Sequence, residues 1–160
     1  MSAELAIPFG RITTGYSPAA DFVGKRATEI RFQLQDSYTL GMGGKGVLEE
    51  LRSTVEGFGM SNWDGYGAEP VSKDAYWVAL EFLEALPLGT PAPSVGAEPD
   101  GDLTFEWYSS PQRVLSVSVS SQGELHYSAL VGSSKVYGTE VFSGEVPRVI
   151  LDQIRRVQPA

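Results

Sequence analysis

Carboxylates are the side chains of this sequence best suited to chemistry, and they gather in two short segments. Asp64 and Glu69 stand in the first segment, and Asp100, Asp102 and Glu106 stand in or beside the second. Carboxylate oxygens are preferred ligands of Mg²⁺ and Ca²⁺, so a fold that brought these residues into one cleft could build a small hydrolase or nuclease. The simpler interpretation of Asp100 and Asp102 is a turn that enters a strand, because Asp-Gly is a common turn dipeptide. We prefer the turn, and with it no metal site and no cofactor.

Two further patterns resemble catalytic motifs but lack parts that the chemistry requires. His126, the single histidine, is predicted to face outward from a strand with Ser118 opposite it. A serine nucleophile needs an oriented base and converging N–H donors, which a flat strand face does not supply. Residues 43–46, GGKG, precede a helical pattern, but the earlier glycine and the following Ser or Thr of a phosphate-binding loop are missing. We therefore predict no catalytic residue, and a flexible linker at residues 43–46.

The composition excludes several functional classes. The absence of cysteine excludes a disulfide scaffold and a thiolate site, and a single histidine excludes a multi-histidine metal centre within one chain. The 20 acidic and 12 basic residues give a net charge of −8, which argues against nucleic-acid binding through phosphate neutralisation. The first residues lack a basic stretch followed by an apolar one, and no apolar run approaches a membrane span. We expect a cytoplasmic protein that binds neither nucleic acid nor a membrane.

The negative charge is concentrated in the middle of the chain. Residues 1–44 carry four acids and four bases, residues 45–87 carry eight and three, and residues 88–160 carry eight and five. The middle part is also the part predicted to be helical, so its acidic face would steer a basic partner towards it. The alternative is a solvated helical face that glutamates keep soluble. The sequence leaves both interpretations open.

The predicted organisation of the first half of the chain rests on its helix-breaking residues and on the periodicity of its apolar residues. Gly, Pro and Ser punctuate residues 1–28, which are typical of an irregular arm. Polar and apolar residues alternate over residues 29–34, as in a half-buried edge strand. Apolar residues at helical spacing predict a helix at residues 46–56. We therefore predict an arm with a possible edge strand over residues 1–45, and a single α+β domain over residues 46–157.

A stronger helix is predicted from Ser72, its N-cap, to the residue before Pro87. At 100° per residue, its apolar side chains fall on one arc: Ala75, Val78, Ala79, Phe82, Leu83 and Leu86. Its charged side chains fall on the opposite arc: Lys73, Asp74, Glu81 and Glu84. Trp77 lies in the middle of the charged arc, although a tryptophan gains nothing from exposure. Either the N-terminal arm or another chain should cover it.

The second half alternates as strands with one apolar face each, at about residues 103–108, 115–120 and 125–131. These apolar faces align only if each hairpin loop holds an odd number of residues. Three-residue loops at residues 110–112 and 121–123 meet this condition. They pair Phe105 with Val117, and Val117 with Tyr127.

A less decided strand near residues 136–142 and a short helix at residues 147–157 complete the pattern. Together these elements predict an α+β fold. In this fold the amphipathic helices pack on one face of a three- to five-stranded antiparallel meander, and a short C-terminal helix closes the domain.

The most distinctive segment is the loop that begins at Asn62, with the sequence NWDGYGAEP. Trp63 and Tyr66 could anchor a partner while Asp64 and Glu69 accept hydrogen bonds from it. The structural alternative is that Trp63 packs between two helices and Asp64 caps local N–H groups.

This segment and its surroundings resemble a group of small bacterial proteins that share an NWDGYGA motif. The similarity covers residues 46–157 and includes the helix after the motif, the Asp-Gly-Asp turn and the following Glu106-Trp107. We know of no established activity for that group. The resemblance therefore implies a bacterial or phage origin and a shared fold, and nothing catalytic.

These observations favour a non-catalytic interaction protein, such as an inhibitor, an antitoxin-like neutraliser or a defence-related adaptor. The expected partner is a protein with a basic surface. The predicted contact residues are Trp77, Asp74, Glu81, Glu84, Trp63, Asp64, Tyr66 and Glu69. The alternatives are the carboxylate hydrolase or nuclease already described, and a binder of small molecules or carbohydrates that uses Trp63, Tyr66, Trp107 and Tyr108.

Overall fold

The computed structural model describes residues 42–158 of the chain, and within them it has an α+β architecture. The helices are α1 (Met42–Gly57), α2 (Lys73–Ala85) and α3 (Arg148–Val157). The strands are β1 (Ser94–Ala97), β2 (Leu103–Ser110), β3 (Arg113–Val119), β4 (Glu124–Val131) and β5 (Ser134–Val141). The arm predicted over residues 1–28 and the strand predicted over residues 29–34 lie outside the described residues. No helix in the described part of the chain is both long and apolar enough to cross a membrane.

Helix α1 begins earlier than the predicted start at residue 46, so the prediction of a linker at residues 43–46 is wrong. Glycine costs about 1 kcal/mol per residue in a helix relative to alanine. Helices in proteins are stabilised mainly by packing of their apolar face, and Val47 and Leu51, one turn apart, are both buried in the core. Burial of this turn stabilises the helix, which therefore includes residues 43–46 although their helix propensity alone would leave them as coil.

Helix α2 has the predicted ends. The Ser72 hydroxyl accepts from the backbone N–H groups of Asp74 (3.2 Å) and Ala75 (3.4 Å), and the helix stops at Ala85, two residues before Pro87. Its buried face is broader than predicted, because Leu80 is also buried.

The five strands form an antiparallel meander in chain order, β1 to β5. The predicted register is confirmed: Phe105 pairs with Val117, and Val117 pairs with Tyr127. Strand β1 has only four residues without a clear alternation, so only its pairing with β2 identifies it as a strand.

The two predicted hairpin loops differ in outcome. The loop at residues 121–123 has three residues, and Gly123 at its end has a φ of +79°. The other loop is shorter than predicted, because Ser110 pairs with Arg113 and leaves a two-residue turn. An irregularity between Tyr108 and Ser110 supplies the extra residue. The apolar faces therefore still align.

The core lies between one face of the sheet and the three helices. The Phe82 ring of α2 stacks on Phe105 of β2 at 5.4 Å between ring centroids, and its edge contacts Phe142 at 5.9 Å. Trp107 is fully buried, and its indole N–H donates to the Pro91 carbonyl at 2.7 Å. The same cluster includes Ile150, Ile154 and Val157 of α3.

Candidate functional site

Residues 62–69, which we call the motif loop, are held by their own hydrogen bonds. The Asp64 carboxylate accepts from the backbone N–H groups of Tyr66 (2.8 Å) and Ala68 (3.1 Å). Asn62 adopts a left-handed backbone with a φ of 59°, and its N–H donates to the Ala68 carbonyl at 2.6 Å. The two N–H groups lower the pKa of Asp64, because they stabilise its charged form. The loop therefore has one defined conformation, and Asp64 has the local capping role.

The tryptophan of the motif loop, Trp63, also helps to hold the loop in place. The Trp63 indole N–H donates to the Glu69 carbonyl at 2.9 Å, and its ring packs against Phe58 at 4.6 Å between centroids. Trp63 is half-buried, so the structure gives it a packing role after the end of α1. Tyr66, in contrast, is 95% exposed. The loop thus holds a tyrosine in solvent on a fixed backbone.

The motif loop and the Asp-Gly-Asp turn, which the sequence singled out separately, are joined by backbone hydrogen bonds. The Glu69 N–H donates to the Pro99 carbonyl at 2.8 Å, and the Ser72 N–H donates to the Gly101 carbonyl at 3.0 Å. Gly101 has a φ of +88°, and a Cβ atom there would lie 2.9 Å from the Pro70 carbonyl oxygen. This contact fixes the motif loop and the start of α2 against the sheet.

Helix α2 carries the acidic surface that the charge distribution predicted. Asp74, Glu81 and Glu84 are exposed, and Trp77 lies between them on the same side of the helix. We call these four residues the acidic stripe. Trp77 is half-buried: it packs at the edge of the core and meets Tyr76 edge-on at 5.4 Å. The core thus covers part of Trp77. The arm over residues 1–28, predicted as one possible cover for Trp77, lies outside the described residues.

Tyr76 links α2 to α1. Burial raises the pKa of its phenol, and the nearby Arg52 guanidinium of α1, which shares a hydrogen bond with it, partly offsets this effect. The acidic stripe is therefore carried by a helix that is anchored on two sides, by the core and by α1.

Glu98 and the carboxylates of the Asp-Gly-Asp turn interact with the sheet and with one another. Glu98 accepts hydrogen bonds from the hydroxyls of Thr104 and Ser118 on the outer face of the sheet. The pKa of Asp102 is raised by partial burial and by the negative charges of Asp100 and Glu98. Within residues 42–158, no three acidic or histidine side chains are placed to hold a metal ion.

Ser118 and His126 stand opposite each other on β3 and β4, as predicted, but they have different partners. Ser118 bonds to Glu98, whereas His126 Nδ1 lies 2.8 Å from the Thr139 hydroxyl and its Nε2 lies 3.7 Å from Glu124. A histidine that does not contact the serine does not activate it as a nucleophile.

The four aromatic residues considered for ligand binding are dispersed. Trp107 is buried in the core, and Tyr108, its neighbour on β2, faces the other side of the sheet with 59% exposure. Trp63 and Tyr66 belong to the motif loop. They do not line one pocket, so this arrangement does not support a carbohydrate or small-molecule site.

An apolar groove that the sequence did not predict lies between the first turns of α1 and the segment after α2. Val47, Leu48, Leu86 and Pro93 are among the residues that line it, and its volume is about 270 Å³. This volume is just below the range of about 300–1,000 Å³ that is usual for small-molecule sites. The lining is mostly apolar and includes one carboxylate, that of Glu84.

Comparison of the chain with protein-family models, with curated proteins and with solved structures gave no match. The motif loop and the acidic stripe are therefore the features of the described residues that bear on function.

Proposed function

We propose that this protein is a non-catalytic interaction module of bacterial or phage origin that binds a protein with a basic surface. The contact is made by the acidic stripe of α2 and by the motif loop immediately before it. An inhibitor, an antitoxin-like neutraliser and a defence-related adaptor are roles that such a module fits, in the cytoplasm. Nucleic acid and membranes are not the proposed partners.

The observation that carries this proposal is the fixed, exposed tyrosine of the motif loop. Tyr66 is 95% exposed, while the backbone around it is held by Asp64, Asn62 and the turn at Gly101. Tyrosine is enriched among residues that dominate binding energy. Because the backbone of the loop is already held by hydrogen bonds, binding through Tyr66 requires little further ordering of the loop. A loop fixed in this way is well suited to binding and has no evident use in catalysis.

The acidic stripe is the second feature that supports binding of a basic partner. Asp74, Glu81 and Glu84 are exposed on a helix that is anchored in the core. Like charges on one exposed face raise the association rate with an oppositely charged partner. The half-buried Trp77 between them offers an aromatic surface within a charged rim, which is a common composition of interfaces.

The competing hypothesis of a carboxylate-dependent hydrolase or nuclease requires the acidic residues to converge. Asp64 is occupied by backbone N–H groups, and within residues 42–158 no three acidic or histidine side chains are placed to hold a metal ion. We therefore prefer the interaction module, because it requires only the arrangement that these residues have in the structure, whereas the hydrolase requires them to converge.

The test is capture of partners from a bacterial lysate on the immobilised protein, followed by quantitative mass spectrometry. We expect proteins with a basic surface to bind the wild type and to be lost with Glu81→Lys/Glu84→Lys and with Tyr66→Ala. Glu49→Lys/Glu145→Lys is the matched control, because it reverses two exposed acids elsewhere and gives the same change in net charge, from −8 to −4. Equal capture by the Glu81/Glu84 variant and the wild type would contradict the proposal.

A further inference from the structure

The two edges of the sheet differ in how far they are covered. At one edge, β1 has only four residues and lies against α1, whose Glu50 carboxylate accepts a hydrogen bond from the Val95 N–H at 2.9 Å. At the other edge, β5 has eight residues and pairs with β4 over its whole length without a bulge. Within residues 42–158, the sheet ends at β5. A long and regular edge strand is the part of a sheet that most readily accepts a further strand.

The register of β5 shows which of its backbone groups point away from β4. The Phe142 N–H donates to the Gly123 carbonyl at 2.8 Å, so these two residues form a hydrogen-bonded pair. Such pairs alternate along an antiparallel ladder, and the even-numbered residues of β5 therefore bond to β4. The N–H and C=O groups of the odd-numbered residues point outward at the edge: Lys135, Tyr137, Thr139 and Val141. Within residues 42–158, no backbone hydrogen bond satisfies these outward groups.

The side chains of the same four residues are exposed on the outer face of the sheet. Tyr137 is 82% exposed and Val141 is 72% exposed. The helices pack mainly over β1 to β4, so they leave the edge at β5 accessible. Edge strands are usually protected by shortness, bulges or several charges. Strand β5 is long and unbulged, and its charges are limited to Lys135 and Glu140.

A second copy of the chain presents an edge that is complementary to this one. A two-fold axis through Gly138, perpendicular to the sheet, lays two β5 strands side by side in antiparallel orientation. Tyr137 then pairs with Thr139 of the second copy, and Lys135 pairs with Val141 of the second copy. All four outward-pointing residues find a partner in this register. An axis at Tyr137 or Thr139 would instead pair one end of the strand with a residue outside it.

The side chains in this register are also compatible. Tyrosine opposite threonine is a favourable pair, because aromatic and β-branched side chains pack well across strands. Lys135 of one copy lies in line with Glu124 of the other, since Glu124 pairs with Val141 within each copy. Two strand spacings separate these opposite charges by roughly 10 Å, a distance at which salt screens much of the attraction. The backbone hydrogen bonds and the contacts of Tyr137 therefore contribute most to the pairing.

We propose that this chain forms a dimer through β5, in which two five-stranded sheets join edge to edge into one ten-stranded antiparallel sheet. The occupant of the edge is a second copy because the edge is self-complementary in its hydrogen-bonding groups and in its side chains. The two-fold axis makes each contact form twice and closes the assembly. The contact uses no residue of the motif loop or the acidic stripe, so the dimer presents both of these surfaces twice to a partner.

The first test is sedimentation velocity of the full chain over a range of concentrations. Tyr137→Lys places two lysines diagonally across the axis, roughly 7–8 Å apart, where like charges oppose pairing. We expect this variant to dimerise at least about tenfold more weakly than the wild type. Tyr108→Lys is the matched control, because Tyr108 is an exposed tyrosine on the same face of the sheet but on β2. Both variants change the net charge from −8 to −7, and the control should dimerise like the wild type.

The second test reads the register by disulfide crosslinking. The chain has no cysteine, so a single introduced thiol can bridge only to a second copy. Tyr137→Cys and Thr139→Cys are purified separately, mixed in equal amounts and incubated with oxidised glutathione. We expect the mixture to crosslink at least about fivefold faster than either variant alone, because directly paired Cα atoms lie about 5.5 Å apart and diagonal ones lie beyond disulfide reach. Tyr108→Cys mixed with Thr139→Cys is the control and should not crosslink.

Three results would overturn the inference: a wild type that stays monomeric at high concentration, a Tyr137→Lys variant that dimerises like the wild type, or a cysteine mixture that crosslinks no faster than its components. Circular dichroism checks that each variant is folded. None of these results bears on whether Glu81, Glu84 and Tyr66 govern partner capture. The dimer and the proposed function therefore fail independently of each other.

Discussion

Asp64 and Asp102 lie in neighbouring turns, and their pKa values move in opposite directions. Asp64 accepts hydrogen bonds from backbone N–H groups, which lower its pKa, whereas burial and two nearby carboxylates raise the pKa of Asp102. The first shift means that the folded state prefers the charged carboxylate, and the second means that it prefers the neutral acid. The two residues therefore contribute to stability with opposite signs at neutral pH.

Asp64→Asn is expected to destabilise the protein at neutral pH. The charged carboxylate stabilises the folded state above the ordinary Asp pKa of 3.8, and this contribution is lost as the pH falls through the lowered pKa of the folded protein. Thermal unfolding should give a lower melting temperature for the variant at about pH 7 and a smaller difference below about pH 3. Glu69→Gln, at an exposed carboxylate of the same loop, is the control and should leave the melting temperature unchanged.

Asp102→Asn is expected to stabilise the protein at neutral pH. The raised pKa shows that ionisation is harder in the folded state, so the charged carboxylate opposes folding above the ordinary pKa of 3.8. The gain in melting temperature should be present at about pH 7 and disappear below about pH 3, where both states bind the proton. A loss of stability at neutral pH would show that another interaction of Asp102 dominates.

At the residue scale, the sequence predicted the local roles of residues better than it predicted their exposure to solvent. The capping role of Asp64 follows from the tendency of aspartate to bond backbone N–H groups in turns. The 95% exposure of Tyr66 and the half-burial of Trp77 depend on how the loop and the core pack around them. Helical spacing placed Trp77 on the charged arc correctly, but spacing does not reveal how far the core extends around a helix.

At the scale of elements, the alternation of apolar residues and the odd length of the hairpin loops predicted how the strands pair. One apolar face per strand, together with the rule that hairpin loops hold odd numbers of residues, predicted the pairing of Phe105 with Val117 and Val117 with Tyr127. The same rule could not distinguish a three-residue loop from a two-residue turn with a bulge, because both preserve parity. The start of α1 was missed because packing outweighs the low helix propensity of glycine.

Gly101→Ala tests the contact between the Asp-Gly-Asp turn and the start of α2. A positive φ costs alanine about 1–2 kcal/mol, and the approach of the new Cβ to the Pro70 carbonyl adds roughly 1–3 kcal/mol. Gly144→Ala is the matched control, because Gly144 also has a positive φ but open space around its Cβ position. Denaturant unfolding should therefore show the larger loss for Gly101→Ala. Equal losses would mean that the turn moves away without cost.

At the scale of the whole molecule, the net charge of −8 conceals an uneven distribution. Within residues 42–158, acids dominate α2 and the turns beside it, and three of the five arginines lie on α3. The sequence revealed the acidic middle because its charges are close in the chain. The arginine cluster was harder to see, because Arg113 reaches α3 only through the fold.

Because the proposed docking surface is acidic, the rate at which a basic partner associates with it should depend on the salt concentration. Exposed charges are screened over about 10 Å at 0.1 M salt. Steering by the acidic stripe should therefore accelerate association with a basic partner at low salt, and the acceleration should fade as the salt concentration rises.

The most direct measurement is the association rate constant of a captured partner, by stopped flow, for the wild type, Glu81→Lys/Glu84→Lys and Glu49→Lys/Glu145→Lys across ionic strength. We predict that the Glu81/Glu84 variant associates about tenfold or more slowly at low salt and that this deficit shrinks at high salt. The control, with the same net charge of −4, should be slowed much less. Identical rates for the two variants at every salt concentration would contradict the assignment of the acidic stripe as the docking surface.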